Sequence, residues 1–176
     1  DKGIALSLRA IGDAYLGANM RQQAIDFYIE AFNVLNTLEG ANHLKIHISP
    51  NLILTLLKIR ETDKALVYLK QLEVLFDKYP TTSTLFYVSI CRAYYYVVTN
   101  QPDKALIYIT EATKANSEHD YPYMRFVLDY LHASYYKQNK QYDRALEKYG
   151  NLIKEINPAY SPNQHIQLNL QQAQLL

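Results

Sequence analysis

The sequence predicts an all-α fold, a solenoid of antiparallel helix pairs. Three observations lead there. The quartet Asp-Lys-Ala-Leu stands at 63–66 and again at 103–106, returns as Asp-Arg-Ala-Leu at 143–146, and has a looser form around Gln23-Ala24-Ile25. The alanines inside it, Ala24, Ala65, Ala105 and Ala145, follow one another at spacings of 41, 40 and 40 residues. A period of that size marks a stack of supersecondary units. Apolar residues on both sides of each alanine recur at helical spacing, three or four apart, and not in strand alternation.

Taken in order, the units run over about 3–40, 42–79, 82–118 and 122–157, read as one domain spanning 1–176. In the first, Leu8, Ile11, Gly12 and Tyr15 precede Ala24, and Ile25, Tyr28, Ala31 and Leu35 follow it. In the second, Leu52, Ile53, Leu56 and Leu57 precede Ala65, and Leu66, Leu69, Leu72 and Phe76 follow. The third places Ser89, Ala93, Tyr96 and Val97 before Ala105, then Leu106, Ile109 and Ala112. The fourth places Ala133 and Tyr136 before Ala145, then Leu146, Tyr149, Leu152 and Ile153. From Ser161-Pro162, the residues Ile166, Leu168, Leu170, Ala173 and Leu175-Leu176 outline one more helix over 161–176 without its partner.

The alanines have a packing role. Two antiparallel helices approach closely only where a small side chain faces the partner, so Ala105 is expected near Tyr96 or Ala93 and Ala145 near Tyr136 or Ala133. The polar stretches before them are short turns. Thr62 and Asn100 are expected to cap helix N–H groups, Pro102 suits a first helical turn, and Asp63, Asp103 and Asp143 sit where the positive helix end favours a carboxylate. Lys64, Lys104 and Arg144 are expected to face water. Pro80, Pro122 and Pro158 fall between units, whereas Pro50 falls inside one and implies a kinked or split helix.

Composition excludes several functions. Half the chain is hydrophobic (49%), and 18 basic against 17 acidic residues leave a net charge of +1 with no run of one sign. A duplex-binding surface would show a basic stripe, so no direct nucleic-acid contact is expected. No apolar run reaches the roughly 18 residues of a membrane span, so no membrane contact is expected within this stretch. The chain opens and closes inside helical patterns and reads as an excised or processed piece. Its compartment stays open, with the cytoplasm slightly favoured over the periplasm.

Catalytic chemistry finds little support. His43 and His47 are four apart, but no third ligand for zinc lies near them in sequence. His119-Asp120 falls in a turn and is expected to be solvent-facing or capping. His132 takes the place of a core leucine and is expected to be a hydrogen-bonded core residue. Cys91 has no positioned base and reads as a packing residue. The five glycines form no phosphate loop, and Asp13 and Glu30 stand apart. No enzyme activity, cofactor or metal is expected.

On these residues the chain resembles the tetratricopeptide repeat family. Leu8, Ile11-Gly12, Tyr15, Ala24, Tyr28 and Ala31 match that family's pattern in the first unit. Ser89, Arg92-Ala93, Tyr96, Ala105, Ile109 and Ala112 match it in the third. Asp129, His132-Ala133, Tyr136, Ala145, Tyr149 and Leu152 match it in the fourth, and Ser49, Leu52-Ile53, Leu56, Ala65, Leu69 and Leu72 more loosely in the second. The resemblance implies a right-handed superhelical solenoid whose inner surface comes from the first helix of each pair. A period near 40, against 34 in the family, resembles the longer arrays of bacterial regulators and sensors. Members that clamp a chaperone peptide's carboxylate use cations and amides where this chain has Arg9, Asp13, Leu54, Tyr87 and Cys91, so that activity is not implied.

The matching inner positions give His47, Leu54, Tyr87, Ile90, Tyr94, Val127, Tyr130 and Ser134, an apolar and tyrosine-rich set suited to a protein or peptide. Of these, His47, Leu54, Tyr87, Tyr94, Tyr130 and Ser134 are the candidate partner-binding residues. Tyr94-Tyr95-Tyr96 spans about 200° of a helix, so the three rings cannot share one face. The expected function is a protein- or peptide-binding module in a larger regulatory protein, acting in signal transduction or transcription regulation. The alternative is an array that self-associates through residues such as Ile166, Leu170 and Leu176.

Overall fold

The turns inside the helix pairs are four copies of one backbone device. The computed structural model describes residues 1–117, 122–158 and 161–176, with the backbone alone at 122–124. The pairs are α1 (Lys2–Gly17) with α2 (Arg21–Asn36), α3 (Asn42–Lys58) with α4 (Thr62–Lys78), α5 (Thr82–Val98) with α6 (Pro102–Asn116), and α7 (Pro122–Gln138) with α8 (Tyr142–Glu155). A further helix, α9, covers Pro162–Ala173. The all-α class holds: among the described residues there is no strand, and consecutive helices pack in pairs in a solenoid-like manner. The chain divides into two units, Asp1–Cys91 and Arg92–Leu176.

Asn19, Arg60, Asn100 and Lys140 each adopt a left-handed conformation, with φ of 62°, 63°, 56° and 58°. Each stands five residues before an anchor alanine. The next residue's N–H then reaches back to a carbonyl in the helix just ended: Met20 to Tyr15 at 2.9 Å, Glu61 to Leu56 at 3.0 Å, Gln101 to Tyr96 at 2.8 Å and Gln141 to Tyr136 at 2.9 Å. The left-handed residue's own N–H also bonds back, as from Asn19 to Leu16 and from Lys140 to Lys137. This double closure satisfies carbonyls that a helix end would leave orphaned.

The following helix begins at once. The carbonyls of Met20, Glu61, Gln101 and Gln141 accept from the N–H of Ala24, Ala65, Ala105 and Ala145 at 3.0–3.1 Å. None of these four starting residues caps through its side chain. The expected caps are therefore corrected. Thr62 is already the first residue of α4, and Asn100 is the left-handed residue itself. The position from which a side chain could accept from the first helical N–H groups is held in these joints by Met20, Glu61, Gln101 and Gln141, and none of the four makes that bond.

All four anchor alanines are fully buried. They open an apolar stripe on each second helix: Ala24, Tyr28 and Ala31 on α2; Ala65, Leu69 and Leu72 on α4; Ala105, Ile109 and Ala112 on α6; Ala145, Tyr149 and Leu152 on α8, every one buried. Ala133, Ala145, Tyr149 and Leu152 share one core cluster, with Tyr136 packed against it, as the spacing predicts. In α1 the small contact residue is Gly12, buried against the Tyr28 ring.

The basic residue of each quartet is exposed, as expected, but it is not simply solvated. Lys104 lies 5.3 Å from the Tyr96 ring centroid and donates to Gln101 Oε1 at 2.9 Å. Arg144 lies 5.6 Å from the Tyr136 centroid and donates to Gln141 Oε1 at 3.1 Å. In the second pair, Leu56 stands where those tyrosines do, and Lys64 instead pairs with Glu61 at 3.3 Å. Pro50 does not split its helix: α3 is continuous from Asn42 to Lys58 with Pro50 buried inside it. The proline ring cannot donate to the Ile46 carbonyl, and the buried surroundings hold the helix across that missing bond.

Candidate functional site

The candidate residues all lie on the first helix of a pair, and each unit holds its own group. In the unit Asp1–Cys91, α3 carries His47 and Leu54, and α5 carries Tyr87. His47 is exposed and meets the half-buried Tyr87 edge to face, with ring centroids 5.7 Å apart and planes at 78°. Phe86 stands beside Tyr87 at 6.0 Å. Burial pulls the His47 pKa below its ordinary value, and the positive charges of Arg9 and His43 pull it further in the same direction. The imidazole is therefore biased toward its neutral form, in which it both donates and accepts. Leu54 is half-buried one helical turn beyond Pro50.

A polar cluster, which the repeat pattern does not announce, shares the first unit. Asp13 of α1 accepts from Tyr28 Oη at 2.7 Å and from Asn51 Nδ2 at 2.9 Å, both on Oδ1. Its Oδ2 stands 3.5 Å from Arg9 Nε. One carboxylate thus ties together α1, α2 and α3. The Arg9 and Asp13 spacing of four was visible in the sequence, but Asn51 lies 38 residues from Asp13 and nothing local pairs them.

In the unit Arg92–Leu176, Tyr94 of α5 and Tyr130 of α7 stack with centroids 6.1 Å apart and planes at 13°. Tyr130 in turn meets Tyr149 edge to face at 6.3 Å. Ser134 donates to the Tyr130 carbonyl at 2.9 Å, and its hydroxyl stands 3.4 Å from Tyr149 Oη. Tyr94 and Ser134 are each only 8% exposed, so they back the group, while half-buried Tyr130 carries its accessible edge. Burial pushes the Tyr149 phenol up to about 12, with the Ser134 hydrogen bond opposing and Tyr130 adding to the rise.

The other tyrosines separate as the 100° step per residue requires. Tyr96 stacks on Tyr108 at 5.5 Å with planes at 8°, and the Arg92 guanidinium lies over the Tyr108 ring, 5.0 Å from its centroid. Tyr95 packs edge-on against Tyr96.

The residues weighed for chemistry take other places. Cys91 is fully buried, and its burial drives the thiol well above the ordinary range, away from the reactive thiolate. His132 is half-buried and stacks on Tyr136 at 6.2 Å, at the margin of the core and not within it. Its pKa is lowered, chiefly by burial and then by Lys148, against an opposing pull from Asp129, and Lys148 itself is paired with Asp129. Among the described residues no three His, Cys, Asp or Glu side chains are grouped as metal ligands, and no helix is long and apolar enough to cross a membrane. His119 and Asp120 lie outside the described residues. Compared with models of known protein families and with curated proteins, the chain matches none.

Proposed function

We propose that the chain is a protein- or peptide-binding repeat module of the tetratricopeptide type, serving as the sensory or scaffold region of a larger regulatory protein. The observation that carries this reading is the placement of aromatic edges on first helices. Tyr130 rests against buried Tyr94 and Tyr149, and Tyr87 rests against Phe86 and His47. Rings held in this way lose little freedom on binding and offer a wide contact with a polar tip, the features of an anchor for an extended or helical peptide.

Peptide display against the whole chain tests the proposal. Selected peptides should bind at least tenfold more weakly to Tyr130→Ala or to Tyr87→Ala, while both variants keep the parent's helical circular dichroism. Failure to select any peptide, or selection of peptides that bind both variants as tightly as the parent, would overturn it.

A further inference from the structure

A cation without a counter-charge stands two helical turns from Tyr130. Tyr130, Ser134 and Lys137 follow one another at steps of four and three, so they share one face of α7. Lys137 is half-buried against α9, where it donates to Gln171 Oε1 at 2.9 Å and to Gln174 Oε1 at 2.8 Å. Both acceptors are neutral. Helix α9 carries no Asp or Glu, and the one carboxylate of α7, Asp129, is paired with Lys148. Burial draws the Lys137 pKa below its ordinary value. A partly desolvated ammonium is attracted to an anion more strongly than a fully hydrated one. A glutamine that accepts through Oε1 also keeps its amide N–H donors for a further acceptor. The seam between α7 and α9 therefore holds one positive charge and two amide groups, in line with the aromatic edge of Tyr130.

We infer that Lys137 reads an acidic side chain, Asp or Glu, of the segment whose apolar residue rests on Tyr130; this rests on the peptide-binding reading above. The helix sets the spacing. Seven residues at about 1.5 Å each put Lys137 about 10 Å along α7 from Tyr130, a distance that an extended chain covers in about three residues. The segment thus carries a large apolar residue and an acid three positions apart. Lys140, three residues beyond Lys137, adds a second positive charge at the same end of α7 and works against a basic segment.

Peptide display against the whole chain supplies the probe. Peptides selected on the parent, and weakened by Tyr130→Ala, should share an Asp or Glu three positions from an aromatic or large aliphatic residue. One such peptide is labelled and compared with its Asn or Gln analogue on the parent, on Lys137→Gln and on Lys137→Arg. On the parent the analogue should bind at least tenfold more weakly, and the difference should shrink as salt is added. On Lys137→Gln the two peptides should bind alike, and on Lys137→Arg the preference for the acid should return. Equal binding of the analogue by the parent and Lys137→Gln would show that the variant keeps its fold. The inference is overturned if Tyr130-dependent peptides carry no acid at that spacing, an outcome that leaves the peptide-binding reading standing. It is equally overturned if Lys137→Gln keeps the parent's preference for the acid. Failure to select any peptide would remove both readings together.

Discussion

A methyl group placed on Gly12 would stand 2.7 Å from Cε1 of Tyr28 and 2.8 Å from Cδ1. The ring cannot step aside, because its hydroxyl is held by Asp13 at 2.7 Å and the side chain is fully buried. Gly12→Ala should therefore destabilise the first unit by about 1–3 kcal/mol, despite the helix propensity that alanine adds. Urea denaturation followed by circular dichroism measures this, and a neutral or stabilising result would show that α1 and α2 can separate without penalty.

The anchor alanines predict a contrast within one quartet. Ala105→Leu should cost about 1–3 kcal/mol by overpacking. Lys104→Ala should cost less, about 0.5–1 kcal/mol, through its lost contact with the Tyr96 ring. Paired urea melts compare the two. Equal effects, or a larger effect from Lys104, would mean that the quartet does not work as a close-packing point.

The left-handed joints are open to improvement. Arg60 and Lys140 pay for a conformation that costs a residue with a side chain roughly 1–2 kcal/mol. Lys140→Gly and Arg60→Gly should each stabilise the chain by up to about 1 kcal/mol, once glycine's greater freedom in the unfolded chain is set against the relief. Asn19→Gly and Asn100→Gly should change less, because asparagine tolerates this conformation. Loss of stability in Lys140→Gly would show that its φ of 58° is not strained.

Stability should fall in alkali through Tyr149. Its phenol is raised from 10.0 to about 12 by burial, so above pH 10 the unfolded chain releases this proton while the folded chain keeps it. The folded state is then fully favoured below about pH 10 and loses on the order of 3 kcal/mol as the pH climbs through 12. Denaturation midpoints taken across that window should drop more steeply for the parent than for Tyr149→Phe. Parallel slopes would place the alkaline loss elsewhere.

Much of the fold was legible because packing imposed a period. A small residue is required where two helices approach most closely, so the buried Ala24, Ala65, Ala105 and Ala145 mark the pairs. The joints were legible in place but not in chemistry. Arg60 and Lys140 carry no sign of a left-handed conformation, and the joint places Thr62 inside α4 and Asn100 at the left-handed position, away from the capping role assigned to them. The division at Cys91 and Arg92 has no composition shift to announce it. Among the candidate site residues, the inner positions that the resemblance implies include Tyr94, Tyr130 and Ser134, and the structure places Tyr94 against Tyr130 and Ser134 on the Tyr130 carbonyl. It also brings His47 to Tyr87. The Asp13–Asn51 bond escaped notice, since a hydrogen bond between helices depends on how the helices lean and leaves no periodic trace.

The brevity of the joints bears on how the chain reaches its structure. Closing a loop of a few residues costs little entropy, and the contacts it brings together lie only some fifteen positions apart, as Asp13 and Tyr28 do. Chains dominated by such near contacts fold quickly, and stacked pairs can nucleate at any point along the array. A helix pair can thus serve as a starting point for folding, with further pairs adding beside it.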